Sequence, residues 1–106
     1  MTDSGIPEDV KVETVFVVEI SYSADAPEKR PAVRPEHLRR IARLLGDDRV
    51  LEAGGYLDFS SALLMVRASS EEEAVALVRD DVYVREGVWL DDARARPFGR
   101  VTLTND

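Results

Sequence analysis

Four residues in this chain have the types and spacing for proton chemistry. His37 is the only histidine and lies in the stretch "RPEHLRRIARLL" (34–45). Asp80 and Asp81 stand together after a run of helix-forming residues. Arg34 precedes His37 by three positions. Histidine is the side chain whose ordinary titration falls nearest neutral pH. Read with Pro35 at the first helical position, His37 falls in a helix's opening turn. There the macrodipole disfavours an imidazolium and favours the neutral ring that a general base requires. A helix-surface histidine is the competing reading. The acids at 80 and 81 read as the C-terminal end of a helix, where the dipole penalises negative charge by about 0.3–1 kcal/mol each. Such local violations concentrate at functional sites. A solvated acidic turn, offset by Arg79 and Arg85, is the alternative. A carboxylate beside a neutral histidine fixes its tautomer and stabilises the imidazolium formed as a proton arrives. Arg34 is suited to hold a substrate carboxylate, or to make an ordinary surface ion pair.

Other polar groups carry weaker signals. Glu19, Asp58 and Ser61 lie near strand ends, with Asp58 a candidate substrate contact and a solvated loop the competing reading. Tyr22, Tyr56, Tyr83 and Trp89 read first as core or interface aromatics, with Tyr83 also a candidate substrate contact. No GxGxxG, P-loop, GxSxG or HExxH pattern occurs, so nucleotide binding and serine or metal hydrolysis lack a motif.

Composition narrows the classes further. The chain has 106 residues, 44% of them hydrophobic and 33% charged, with a formal net charge of -7. One domain with one core is the expectation. An acidic chain without a basic stripe is poorly suited to phosphate backbones, so no nucleic-acid partner is expected. There is no cysteine, which removes disulfides, thiolate chemistry and zinc–cysteine sites. A single histidine argues against a histidine-rich metal site, and no metal or cofactor is expected. The polar start "MTDSGIPEDVKVE" does not read as a signal peptide, and no run is long enough to cross a bilayer. A cytoplasmic protein without a membrane partner is the expectation.

The elements that must position these residues follow from periodicity. In "VETVFVVEISYS", Phe16, Val18, Ile20 and Tyr22 alternate with Val15, Val17, Glu19 and Ser21, a strand with one strongly apolar face. "ADAPEKRPAV" reads as a loop punctuated by Pro27 and Pro31. The following helix shows Leu38, Ile41, Ala42 and Leu45 at helical spacing and ends at Gly46, a plausible C′ residue. "DRVLEAGGYLDF" and "SALLMVRAS" read as strands joined near Asp58 to Ser61, the second apolar on both faces. "SSEEEAVALVRDD" opens on a capping box, Ser69 with Glu72 or Ser70 with Glu73, and buries Ala74, Leu77 and Val78. "VYVREG" turns the chain, and "VWLDDARARPFGRV" supplies a fourth strand. The order is β-α-β-β-α-β, predicting an α+β, ferredoxin-like four-stranded antiparallel sheet with both helices on one face. The folded domain is expected over 12–102, between a flexible N-terminal tail (1–11) and a short C-terminal one (103–106). An apolar third strand on the open face predicts a homodimer.

Taken in order, these stretches resemble the YciI-like (YCII-related) family over about residues 14 to 101. "TVFVVEISY" resembles its first strand. "RPEHLRRIARLLGDDRVLEAGGYLD" is similar to its Arg, His-Leu pair, helix and strand ending at Ala-Gly. "ALLMVRASSEEEAVALVRDDVYVREGVW" is similar to its Ser-x-Glu-Glu-Ala helix and Asp-Pro-Tyr segment, and "ARARPFGRV" to its closing strand. The resemblance implies a ferredoxin-like monomer pairing into a dimeric α+β barrel. It implies a His–Asp active site at His37 and Asp81, with Arg34 as an anion-binding residue. Val82 replaces the family's proline, which leaves Asp80 and Asp81 as alternative partners. Similarity to a dehydrochlorinase and to muconolactone isomerases implies a lyase or isomerase that abstracts a proton from a small carboxylated or lactone substrate without a cofactor. A non-catalytic ligand-binding or accessory module and a cofactor-free monooxygenase are the alternatives.

Overall fold

The computed structural model describes residues 5–104. The elements run β1 (Val10–Ser21), α1 (Ala26–Gly46), β2 (Val50–Gly55), β3 (Ser61–Val66), α2 (Glu71–Arg79), α3 (Val82–Arg85) and β4 (Arg94–Leu103). The four strands form one antiparallel sheet in the order β2-β3-β1-β4, the ferredoxin-like α+β arrangement expected from the sequence. The expected tails at 1–11 and 103–106 lie partly outside the described residues, while Val10 and Lys11 pair with Leu103 and Thr102 in the sheet.

Alternation in β1 sorts the core. Phe16, Val18 and Ile20 are buried beside Ala62, Leu64 and Val66 of β3, and α1 and α2 pack their apolar rows on this face. The opposite face carries Val15 and Val17 of β1, Leu63 and Met65 of β3, and Phe98 of β4. Leu63 and Met65 remain half-buried there, so β3 is not fully buried on both sides.

Helix α1 departs most from the sequence expectation. It begins at Ala26 rather than Pro35, and "APEKRPAV" is helical. Pro27 lies at the helix start, where its fixed φ fits and its missing N–H is not needed. Pro31 and Pro35 fall on the exposed side, so the carbonyls they leave unpaired face water. Ala26 and Val33 repay this by packing on the core. The buried face is also rotated from the expected one. Leu38 and Leu45 are exposed, and the inward row is Val33, His37, Ile41 and Leu44. Gly46 is the last helical residue, and the left-handed position is Asp48 (φ 58°).

Helix α2 starts as expected from the second capping-box alternative. Ser70 accepts the Glu73 N–H at 3.1 Å, and the Glu73 carboxylate accepts the Ser69 N–H at 2.9 Å. The β2–β3 connection spans Tyr56 to Ser60, with Phe59 left-handed (φ 61°), while Ser61 already pairs with Ser21. At the end of β2, a Cβ on Gly55 would collide with the Tyr22 hydroxyl. The Tyr22 ring is held edge-on against Phe59 (5.2 Å between centroids) and Trp89 (6.4 Å). Gly55→Ala is therefore expected to cost about 1–3 kcal/mol. Gly54→Ala, with open space around the new methyl, is expected to stay within about 0.5 kcal/mol of the parent. Thermal denaturation of the two variants side by side checks this; equal melting temperatures would refute it.

Candidate functional site

His37 projects from the inward row of α1, eleven residues after the helix start at Ala26. The macrodipole acts within the first turn, so the expected electrostatic bias toward neutrality does not apply at this depth. Its position is instead that of a core residue, and it is 8% exposed. Asp81 corrects a second expectation. It does not end α2, which closes at Arg79 with Asp80 as C-cap. Asp81 is the N-cap of the short helix α3, where its Oδ1 accepts the Tyr83 N–H at 2.9 Å. An aspartate at an N-cap obeys the capping rule rather than breaking it.

The two side chains meet. His37 Nδ1 lies 2.7 Å from Asp81 Oδ1. The neighbouring Asp80 carboxylate is 82% exposed, lies 3.9 Å from Arg40, and makes no hydrogen bond with His37. Arg40, one turn after His37, donates through Nη1 to Asp81 Oδ2 at 3.1 Å and through Nη2 to the Leu77 carbonyl at 2.6 Å. The fully buried Asp81 carboxylate thus receives His37 and a backbone N–H on one oxygen and a guanidinium on the other. Burial pushes its carboxyl pKa up, but the His37, Tyr83 and Arg40 interactions outweigh burial and hold it below the ordinary value.

An ionised carboxylate only accepts, so the Nδ1 of His37 carries the proton in this contact. In the neutral ring Nε2 then holds the lone pair, the arrangement of a general base with an orienting carboxylate. Aromatic packing fixes the ring plane. Tyr83 stacks on His37 with centroids 3.7 Å apart and planes 8° from parallel. Trp89 stands perpendicular to both rings, 5.1 Å from each. The buried Trp89 Nε1–H has no hydrogen-bond partner among the described residues. Burial pushes the Tyr83 phenol above its ordinary pKa, and the Arg30 and Arg34 charges pull against that rise.

The remaining candidates separate from the pair to different degrees. Arg34 is exposed on α1 and lines a groove of about 410 Å³ with Pro27, Arg30, Pro31, Leu38 and Phe59. It makes no hydrogen bond or ion pair with His37 or Asp81, though its charge reaches Tyr83. Arg30 shares that groove, its guanidinium carbon 4.6 Å above the Phe59 ring. Asp58 serves the β2–β3 turn: its Oδ1 accepts the Ser60 N–H at 2.9 Å, and hydrogen bonding from the Ser60 side chain and then from its backbone lowers the Asp58 carboxyl pKa. Ser61 donates to Glu19 at 3.1 Å on the open sheet face. Sequence reasoning missed Arg40 as the second partner of Asp81. Its i,i+3 spacing from His37 was the available signal, because such pairs share a helix face. Among the described residues no group of three His, Asp or Glu is placed to hold a metal ion, and no helix is long and apolar enough to cross a membrane.

Comparison with known proteins bears on most of the chain. The family model described as YCII-related domain matches residues 14–93. The protein YciI of Escherichia coli O6:H1 is 32% identical over 97 residues, covering 82% of this chain and 98% of that protein. The protein YciI of Shigella flexneri is similar to the same extent.

Proposed function

The chain belongs to the YCII-related domain family, and from that premise we propose that it is a small cofactor-independent lyase or isomerase. The observation that carries the proposal is the 2.7 Å contact between His37 Nδ1 and the buried Asp81 carboxylate. His37 Nε2 takes a proton from a carbon next to the carbonyl of a small carboxylated or lactone substrate. The electron pair left on carbon delocalises into that carbonyl. It then either expels a leaving group from the adjacent carbon or is reprotonated at another carbon. Asp81 holds the ring and stabilises the imidazolium, and Arg40 holds Asp81. Tyr83 and Trp89 confine the imidazole, while Arg34 binds the substrate carboxylate from its groove.

Solvent exchange tests this whatever the product is. Small lactones and hydroxy acids are incubated with the protein in deuterium oxide and followed by proton NMR. Loss of a carbon-bound proton signal, dependent on His37, is the expected result. The burial of the pair favours a second reading, a non-catalytic ligand-binding module in which His37 is a packed core residue. Saturable binding without exchange or turnover would establish that reading and overturn the first. Oxygen uptake would identify a monooxygenase instead.

We also propose that a second copy of the chain covers the open sheet face. A groove of about 450 Å³ there is lined by Val17, Leu63, Met65 and Phe98, among others, and Phe98 is 46% exposed. Contiguous apolar surface of this kind is characteristic of interaction sites. Sedimentation equilibrium is expected to return twice the chain mass, and Leu63→Glu with Phe98→Glu the single mass. A monomeric parent protein would rule the dimer out.

A further inference from the structure

A further concave site lies between α1 and the segment Asp80 to Arg85, and Arg40, which holds Asp81, is part of its lining. Its volume is about 310 Å³, and its lining residues include Arg39, Arg40, Arg43 and Arg85 together with Glu36 and Asp80. Four guanidiniums in one concavity are unexpected in a chain of net charge -7. The two acids occupy only part of this charge. Glu36 is engaged by Arg85 Nη2 at 3.3 Å, and the Asp80 carboxylate, mostly exposed, lies 3.9 Å from Arg40. Arg85 Nη1 donates to the Asp80 carbonyl at 3.0 Å. Arg39 and Arg43 are in no ion pair or side-chain hydrogen bond among the described residues. They stand four residues apart and so present their charges on one face of the helix.

From this arrangement we infer that the cavity is a binding site for a phosphate-class oxyanion. A guanidinium presents a planar fork that takes two oxygens at once. A carboxylate has only two oxygens and satisfies one such fork. Several arginines around one small cavity call for a ligand with three or more acceptor oxygens and more than one negative charge. Arg39 and Arg43 supply the unengaged forks, and Arg85 can turn from the exposed Glu36. Arg40 joins this site to the candidate active site, because the same guanidinium lines the cavity and holds Asp81. The binding site itself does not depend on His37 being catalytic.

Inorganic phosphate is the probe, titrated at constant ionic strength against a chloride control. The arginine side-chain N–H signals are followed by NMR. Saturable shifts of the Arg39, Arg43 and Arg85 signals are expected, with an apparent Kd on the order of 1 mM. The Arg39→Gln/Arg43→Gln variant is expected to bind at least about tenfold more weakly. Both residues are exposed, so the fold should persist, and the backbone amide spectrum verifies this. Arg96→Gln, on the open sheet face, is expected to leave the Kd unchanged. A response that never saturates, or that matches chloride, overturns the proposal. So does binding that survives the double variant, or that Arg96→Gln weakens equally.

Discussion

Replacing His37 by alanine is expected to lower kcat/KM for the exchanged substrate by about 100- to 10,000-fold, the usual contribution of a positioned general base. The effect should fall mainly on kcat, because the ring contributes in the transition state rather than by holding the substrate. His37 also fills the inward row of α1 between Val33 and Ile41 and stacks on Tyr83, so alanine leaves a cavity as well. His37→Gln separates the two effects. It retains volume and can donate to Asp81, but it offers no basic nitrogen. If both variants lose exchange while His37→Gln keeps a melting temperature near that of the parent, the loss is chemical. Unchanged turnover in a folded His37→Ala protein would remove the histidine from the mechanism.

Asp81→Ala is expected to be the most damaging single change to stability. The carboxylate is fully buried and is the partner of His37, the Tyr83 N–H and the Arg40 guanidinium. Removing it leaves a poorly exposed guanidinium with only the largely exposed Asp80 carboxylate, 3.9 Å away, as a counter-charge, and breaking a buried pair in this way costs about 3–5 kcal/mol. Each kcal/mol shifts the melting temperature of a domain this size by about 4–8 °C. The same group makes stability pH-dependent. The folded pKa of Asp81 lies below its unfolded value, so the folded state binds its proton less readily than the unfolded chain does. Its stabilisation is present above the ordinary carboxylate range. It is lost as pH falls through that range toward the lowered folded value. Urea titrations of the parent and Asp81→Asn should therefore differ most near neutrality and converge in acid. Curves that stay parallel from about pH 7 to about pH 3 would show that Asp81 does not carry the effect.

Several features were legible because they depend on local spacing. Period-two alternation in β1 places Phe16, Val18 and Ile20 on the helix side with no need of tertiary contacts. Ser70 and Glu73 mark the start of α2, since a cap is satisfied by residues three positions apart. The alternation of strand and helix patterns leads to the sheet. Other features were misread for equally local reasons. Pro27 and Pro31 counted as loop markers, although a proline on a helix's exposed side loses one bond while Ala26 and Val33 bury against the sheet. That longer helix then removed His37 from the first turn. Leu38 and Leu45 matched the helical period as well as Val33 and Leu44 did, and periodicity cannot choose between two such rows.

By itself, the sequence determined the element order, the sheet-facing residues of β1 and the capped start of α2. Each follows from interactions within a few positions of the chain. Through the YCII-related pattern, it also singled out His37 and Asp81. Only the tertiary structure decided that Asp81, rather than Asp80, faces the imidazole. Position 81 caps α3, which turns its carboxylate inward, while position 80 closes α2 toward water. Packing likewise recruited Arg40 from an apparently solvent-facing set of arginines and left Arg39 and Arg43 facing outward. Which way a helix row faces depends on contacts between residues far apart in the chain, such as His37 with Asp81, and no local spacing encodes that choice.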